Sequence, residues 1–73
     1  VISENAHYVM PVPVYQTYLA VEWVREADWD QHWMVVLYTP EHRDELSRHC
    51  TFTEGKKMVQ EIMMAALQKE LVA

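Results

Sequence analysis

Thr17-Tyr18-Leu19-Ala20-Val21-Glu22-Trp23-Val24-Arg25 and, after six intervening residues, His32-Trp33-Met34-Val35-Val36-Leu37-Tyr38 decide the fold. Both runs are rich in β-branched and aromatic residues, and successive side chains of a strand point to opposite faces. Leu19, Val21 and Trp23 therefore share a face, and so do Trp33, Val35 and Leu37. The intervening Glu26-Ala27-Asp28-Trp29-Asp30-Gln31 is short and acidic. Residues 17–38 thus read as an antiparallel β-hairpin. The loop lacks an Asn-Gly or Asp-Gly pair, so a tight two-residue turn is not expected.

The other face of this hairpin is also apolar: Tyr18, Val24, Met34, Val36 and Tyr38. A small antiparallel sheet usually leaves one face to water. This surplus calls for a cover, and the candidates are the N-terminal segment, a second helix or another subunit.

Upstream, residues 7–16 are apolar but hold Pro11 and Pro13. Each proline lacks a donor, and their spacing of two puts both missing donors on one side. This segment is either an edge strand or an extended arm. Residues 1–6 read as a flexible lead, without the charged start and apolar core of a signal peptide.

Downstream, Thr51-Phe52-Thr53-Glu54 has the spacing of a capping box, and Gly55 costs a little in the first turn. Met58, Val59, Ile62, Met63, Ala66, Leu67 and Leu71 then recur every three or four residues, the stripe of an amphipathic helix over about residues 52–71. It should lie across the face that carries Leu19, Val21, Trp23, Trp33, Val35 and Leu37. Thr39-Pro40-Glu41 resembles a helix start, so a short helix is expected over 41–49. A third strand through Leu46–Phe52 is the alternative. The fold class is therefore α+β: a small antiparallel sheet, with an N-terminal third edge strand as an option, packed on a C-terminal amphipathic helix.

The 73 residues allow one domain. A chain of this size hides only about 60 % of its extended surface, so extra burial against a second copy is welcome. The composition, 51 % hydrophobic and 23 % charged, is that of a folded chain. No apolar run reaches the length of a membrane span. Cys50 is the lone cysteine, which favours a reducing compartment and so a cytoplasmic setting. The net charge is −5, and residues 1–39 hold five acids against Arg25 alone. Binding to a phosphate backbone needs the opposite balance.

Several side-chain groups invite chemistry. His42, His49 and Cys50, with His32 apart, are the only metal-like set, but their spacing is not that of a tetrahedral site. His49 at a helix end and Cys50 packed as a small apolar side chain explain them without a ligand. No nucleophile motif surrounds Cys50. Arg43, Arg48, Lys56 and Lys57 would have to gather on one side to hold a nucleic acid. Asp28 and Asp30, with Glu22 and Glu26, form the densest negative patch. They enclose Trp29, which is costly to leave in water and typical of binding hot spots. Trp29 either folds back onto the core or meets a partner.

The sequence favours a small acidic, non-enzymatic interaction, inhibitor or regulatory module. It would act by occupying a surface of another protein, one with a basic surface, through Glu26, Asp28, Trp29 and Asp30. The expected form is a homodimer, associating through Tyr18, Val24, Met34, Val36 and Tyr38 or through a helix stripe broadened by Met64 and Leu71. The alternatives are a nucleic-acid-binding regulator using Arg43, Arg48, Lys56 and Lys57, and a small enzyme or metal-binding domain around His32, His42, His49 and Cys50. No cofactor is expected.

Overall fold

In the structure, a computed structural model that describes residues 2–72 and the side chains of residues 2–68, four strands precede one helix. They are β1 (Ala6–Pro11), β2 (Tyr18–Ala27), β3 (Asp30–Tyr38), β4 (Arg43–His49) and α1 (Phe52–Val72). The sheet is an antiparallel meander in the order β1-β2-β3-β4.

The hairpin register sets Leu19 opposite Leu37, Val21 opposite Val35 and Trp23 opposite Trp33. That puts the expected apolar set on one face, where α1 packs over Leu19, Val21 and Val35 with Trp33 and Leu37 at their margin, and Trp23 lies half-buried against Trp33. Leu19, Val21, Val35 and Val59 form the buried centre. Tyr8, Met10, Phe52, Met58, Ile62 and Met63 pack around them. The helix begins where anticipated, with the Glu54 amide donating to Thr51 Oγ1 at 3.2 Å. Gly55 is buried, and its missing side chain is what lets α1 approach: a Cβ there would lie 2.9 Å from Val21 Cγ1. Toward its far end α1 exposes Met64 and Leu67. Leu71 and Lys69 lie outside the described side chains.

β1 is the edge strand foreseen as one option, and Pro13 falls in the loop beyond it. The short helix over 41–49 is not there: Arg43–His49 is a strand on the outer side of β3. Thr39 does make the cap-like bond, but in a turn. Its Oγ1 accepts from the His42 amide at 3.0 Å, while the Thr39 amide donates to His42 O at 2.9 Å. Hydroxyl-bearing residues close turns with the bonds that cap helices. With Leu46 as its one aliphatic residue, the segment has no apolar stripe to bury as a helix. As a strand it pairs the backbone edge of β3.

The β2–β3 connection also differs from expectation. Asp28 and Trp29 form a two-residue turn, flanked by the pair Ala27–Asp30. Neither has positive φ. The register shifts between Arg25 and Ala27, leaving Glu26 as an extra residue. Such a bulge adds the twist that a mirror-image turn would otherwise supply.

Hydrogen exchange is expected to be slowest at residues 18–24, 33–38 and 58–63. The hairpin end around 26–31 should exchange quickly, because no strand flanks it on either side. Rapid exchange over 33–38 would contradict the central place of β3.

Candidate functional site

β1 stops pairing at Ala6 opposite Glu22, and β4 stops at His49 opposite Trp33. Beyond these points β2 and β3 continue alone, so residues 24–32 form a projecting two-stranded arm. At its tip Trp29 is 87 % exposed. It does not fold back onto the core, the other outcome the sequence allowed. Arg25 pairs with Asp28, and Gln31 Nε2 donates to Asp28 O at 3.3 Å, which fixes the turn. Glu26 faces Arg48 at 3.5 Å. Asp30 Oδ1 lies 3.3 Å from His32 Nδ1. The tip is thus a braced turn with an indole standing out between two carboxylates.

Glu22 does not belong to that patch. It stands on the face away from α1, its side chain only 4 % exposed. Arg43 reaches it from β4, with Nη2 donating to Glu22 Oε1 at 2.9 Å, and the Tyr38 hydroxyl donates to Glu22 Oε2. Arg43 also donates to Glu45 at 3.2 Å and sits over the Tyr38 ring. The bond to Glu22 holds the Arg43 guanidinium above its already high ordinary pKa, against the smaller opposing effect of burial. To reach Glu22, Tyr38 must lie along the sheet across the Ala20–Val36 pair.

This network explains what covers the second apolar face. Met34, Val36 and Tyr38, expected at a subunit contact, are buried within the single chain. Tyr18 and Val24 are half-buried, and Ile2 packs against the same cluster. The cover is largely built from Tyr38, Arg43 and the N-terminal segment. A glutamate amid apolar residues of β2 was the available signal. Its partner required the register of β4.

The other sequence-marked residues are dispersed. Arg43 and Arg48 stand on this second face, while Lys56 lies over the Tyr8 ring on the helix side, 5.2 Å from its centroid. Lys57 is exposed on α1. The four cations that a nucleic-acid reading needs are not brought together in one chain. His42 pairs with Asp44 at 3.1 Å. His49 Nε2 lies 2.7 Å from Ser47 Oγ, on a strand rather than at a helix end. Cys50 is exposed instead of packed. His32 is buried, and its Nε2 has no partner. Among the described residues no group of three or more His, Cys, Asp or Glu is placed to hold a metal ion. No described helix is long and apolar enough to cross a membrane.

At the base of the arm, on the helix side, His7, Trp33 and Phe52 line a groove of about 360 Å³. The Phe52 and His7 rings lie edge-on to Trp33, with centroids at 5.0 and 5.2 Å, and Trp23 stacks obliquely against it at 4.9 Å. β1, β3 and α1 each supply one lining residue, so no local motif announces the groove. A second cleft, about 470 Å³, lies at the opposite end of the sheet between Ile2, Gln16, Tyr18, Tyr38, Thr39 and Pro40.

No protein-family model, curated protein or solved structure matches this chain.

Proposed function

We propose that this protein is a non-enzymatic interaction module that works by surface occupancy, with the arm tip as its contact element. The observation that carries the reading is Trp29, 87 % exposed in a turn held by Arg25 and Gln31. Exposed tryptophan is unfavourable in water and gains most when a partner desolvates it. Asp28, Asp30 and Glu26 outnumber Arg25 and Arg48, which pair with two of them, so the arm keeps a net negative charge that favours a basic surface. The working form we propose is a homodimer, which adds burial to a small core.

The reading is tested by capture from the native host, with the intact chain and Trp29→Ala compared as baits. A protein held by the intact chain should be bound at least about 30-fold more weakly by Trp29→Ala, the scale of a hot-spot truncation. Below the concentration at which the chain self-associates, the substitution should leave thermal stability within about 0.5 kcal/mol, since within one chain the side chain is almost wholly in water. Equal capture by both baits would remove the tip from the interaction.

A further inference from the structure

We infer that the surface Trp29 occupies is the aromatic groove of a second copy of this chain, in a reciprocal contact about a twofold axis. This rests on the interaction reading above and names its partner.

The groove is open, apolar and lies at the low end of the size range of small-ligand sites, suited to one bicyclic ring. Its walls are ring edges and faces of Trp33, Phe52 and His7, and a third indole stacks well in such company. The charges match as well. Phe52 opens α1, so the groove adjoins the helix N-terminus, whose dipole favours carboxylates. Lys56 is four residues on, on the same side of the helix, over Tyr8, whose ring lies edge-on to Phe52. Glu54 is two residues from Phe52, about 200° round the helix at 3.6 residues per turn. The groove therefore has the Lys56 ammonium and the helix N-terminus beside it, to meet a tip that carries Asp28 and Asp30.

The geometry closes. Trp29 and Trp33 are four residues apart on one hairpin, about 13 Å along the strand. Two arms laid side by side and antiparallel carry each tip toward the other's groove by the same displacement. Both contacts then form at once, which is the self-complementarity an isologous dimer requires. The arm has no flanking strand past Glu22 and His49, so it is free to lie beside its mate. A two-stranded ribbon alone is marginal, and the mate would support it.

Sedimentation equilibrium of the full chain, up to about 100 µM, supplies the first measurement. The intact chain should dimerise, and Trp29→Ala should weaken dimerisation at least about 30-fold. Added salt should weaken it too. The decisive arm is charge exchange. Asp28→Lys and Lys56→Glu, each checked by its far-UV spectrum and melting temperature to keep the parent fold although the first gives up the Arg25 bridge, should each self-associate about 10-fold more weakly, because tip and rim then carry like charge. Mixed in equal amounts they should form a heterodimer as tight as the parent. NMR of a mixture of isotope-labelled and unlabelled chains should show contacts between the Trp29 ring of one copy and the Trp33 and Phe52 rings of the other.

A chain that stays monomeric, a dimer indifferent to Trp29→Ala, or a mixture without rescue overturns the inference. If the chain is monomeric yet Trp29-dependent capture of a host protein persists, the second copy falls and the interaction reading stands. If Trp29→Ala alters neither dimer nor capture, both fall.

Discussion

Gly55→Leu is expected to destabilise the fold by about 3 kcal/mol, the upper part of the usual range for overpacking a core. Thermal unfolding should register this as a loss of roughly 15 °C for a domain of this size. The neighbour that a side chain would meet is Val21 Cγ1, at 2.9 Å from the first carbon alone, with Val35 Cγ2 at 3.8 Å. Both valines are fully buried in the central strands, and a β-branched side chain has little rotamer freedom with which to move aside. The remaining carbons of a leucine would have to lift α1 from the sheet. Gly55→Ala sets two effects against each other. Alanine gains about 1 kcal/mol of helix propensity, while its Cβ displaces Val21. The expected sum is near zero or slightly unfavourable. If Gly55→Leu melts within a few degrees of the parent, α1 does not lie this close to β2.

Arg43→Ala is expected to cost about 2–3 kcal/mol. It leaves the Glu22 carboxylate buried with the Tyr38 hydroxyl as its remaining donor. Arg43 itself is part exposed, which holds the loss toward the low end for a broken buried pair. The pH dependence follows from the direction of the arginine shift. The folded-state pKa is raised, so this stabilisation is complete below the ordinary arginine range. It is lost only as pH rises through the folded value in strong alkali. The arginine thus adds no slope between about pH 6 and pH 9. Replacing both partners, Glu22→Leu with Arg43→Met, should recover most of the loss, because no uncompensated charge is then buried. Denaturant unfolding of the two singles and the double measures the coupling. A double variant as unstable as the worse single would show that the pair does not act as a unit.

The hairpin was legible because its two alternating runs put Leu19, Val21, Val35 and Leu37 on one face, and a slip by one residue would turn one set away. The helix was legible from Thr51 and from the spacing of Met58, Val59, Ile62 and Met63. β4 was not. Its polar residues alternate no more clearly as strand than as helix, and Thr39 makes the same hydroxyl–amide bond in a turn as at a cap. What settles it is the edge of β3, a property of the assembled sheet rather than of residues 43–49. Gly55 read as a small cost, because the valines that need its space come from other elements.

The same division runs through the site. Trp29 stood out in the sequence as a large aromatic residue in an acidic turn. Whether it would fold inward depended on the direction of the turn, which the extra residue Glu26 helps to set. The sequence marked an apolar surplus on the second face in Tyr18, Val24, Met34, Val36 and Tyr38, and the structure buries or half-buries all five within one chain. Its cover was hidden, since Arg43 comes from the strand that was expected as a helix. The groove joins residues as distant as His7 and Phe52, and only the packed sheet places them side by side.

The two outer strands have a consequence for the chain at high concentration. An open sheet invites a neighbour's strand to dock along its rim, and repetition of that event produces fibrils. Both rims here resist it. β1 carries a register break at His7 and ends at Pro11, which has no amide hydrogen to offer. β4 sets Arg43, Asp44, Glu45 and Arg48 along its short length and breaks register beside Leu46. A stranger's strand would meet a kinked ladder lined with alternating charge. Growth by strand addition is therefore obstructed at each end of the meander. In the reciprocal dimer proposed above, each tip and each groove would be occupied, and that contact would leave no free end from which polymerisation could continue.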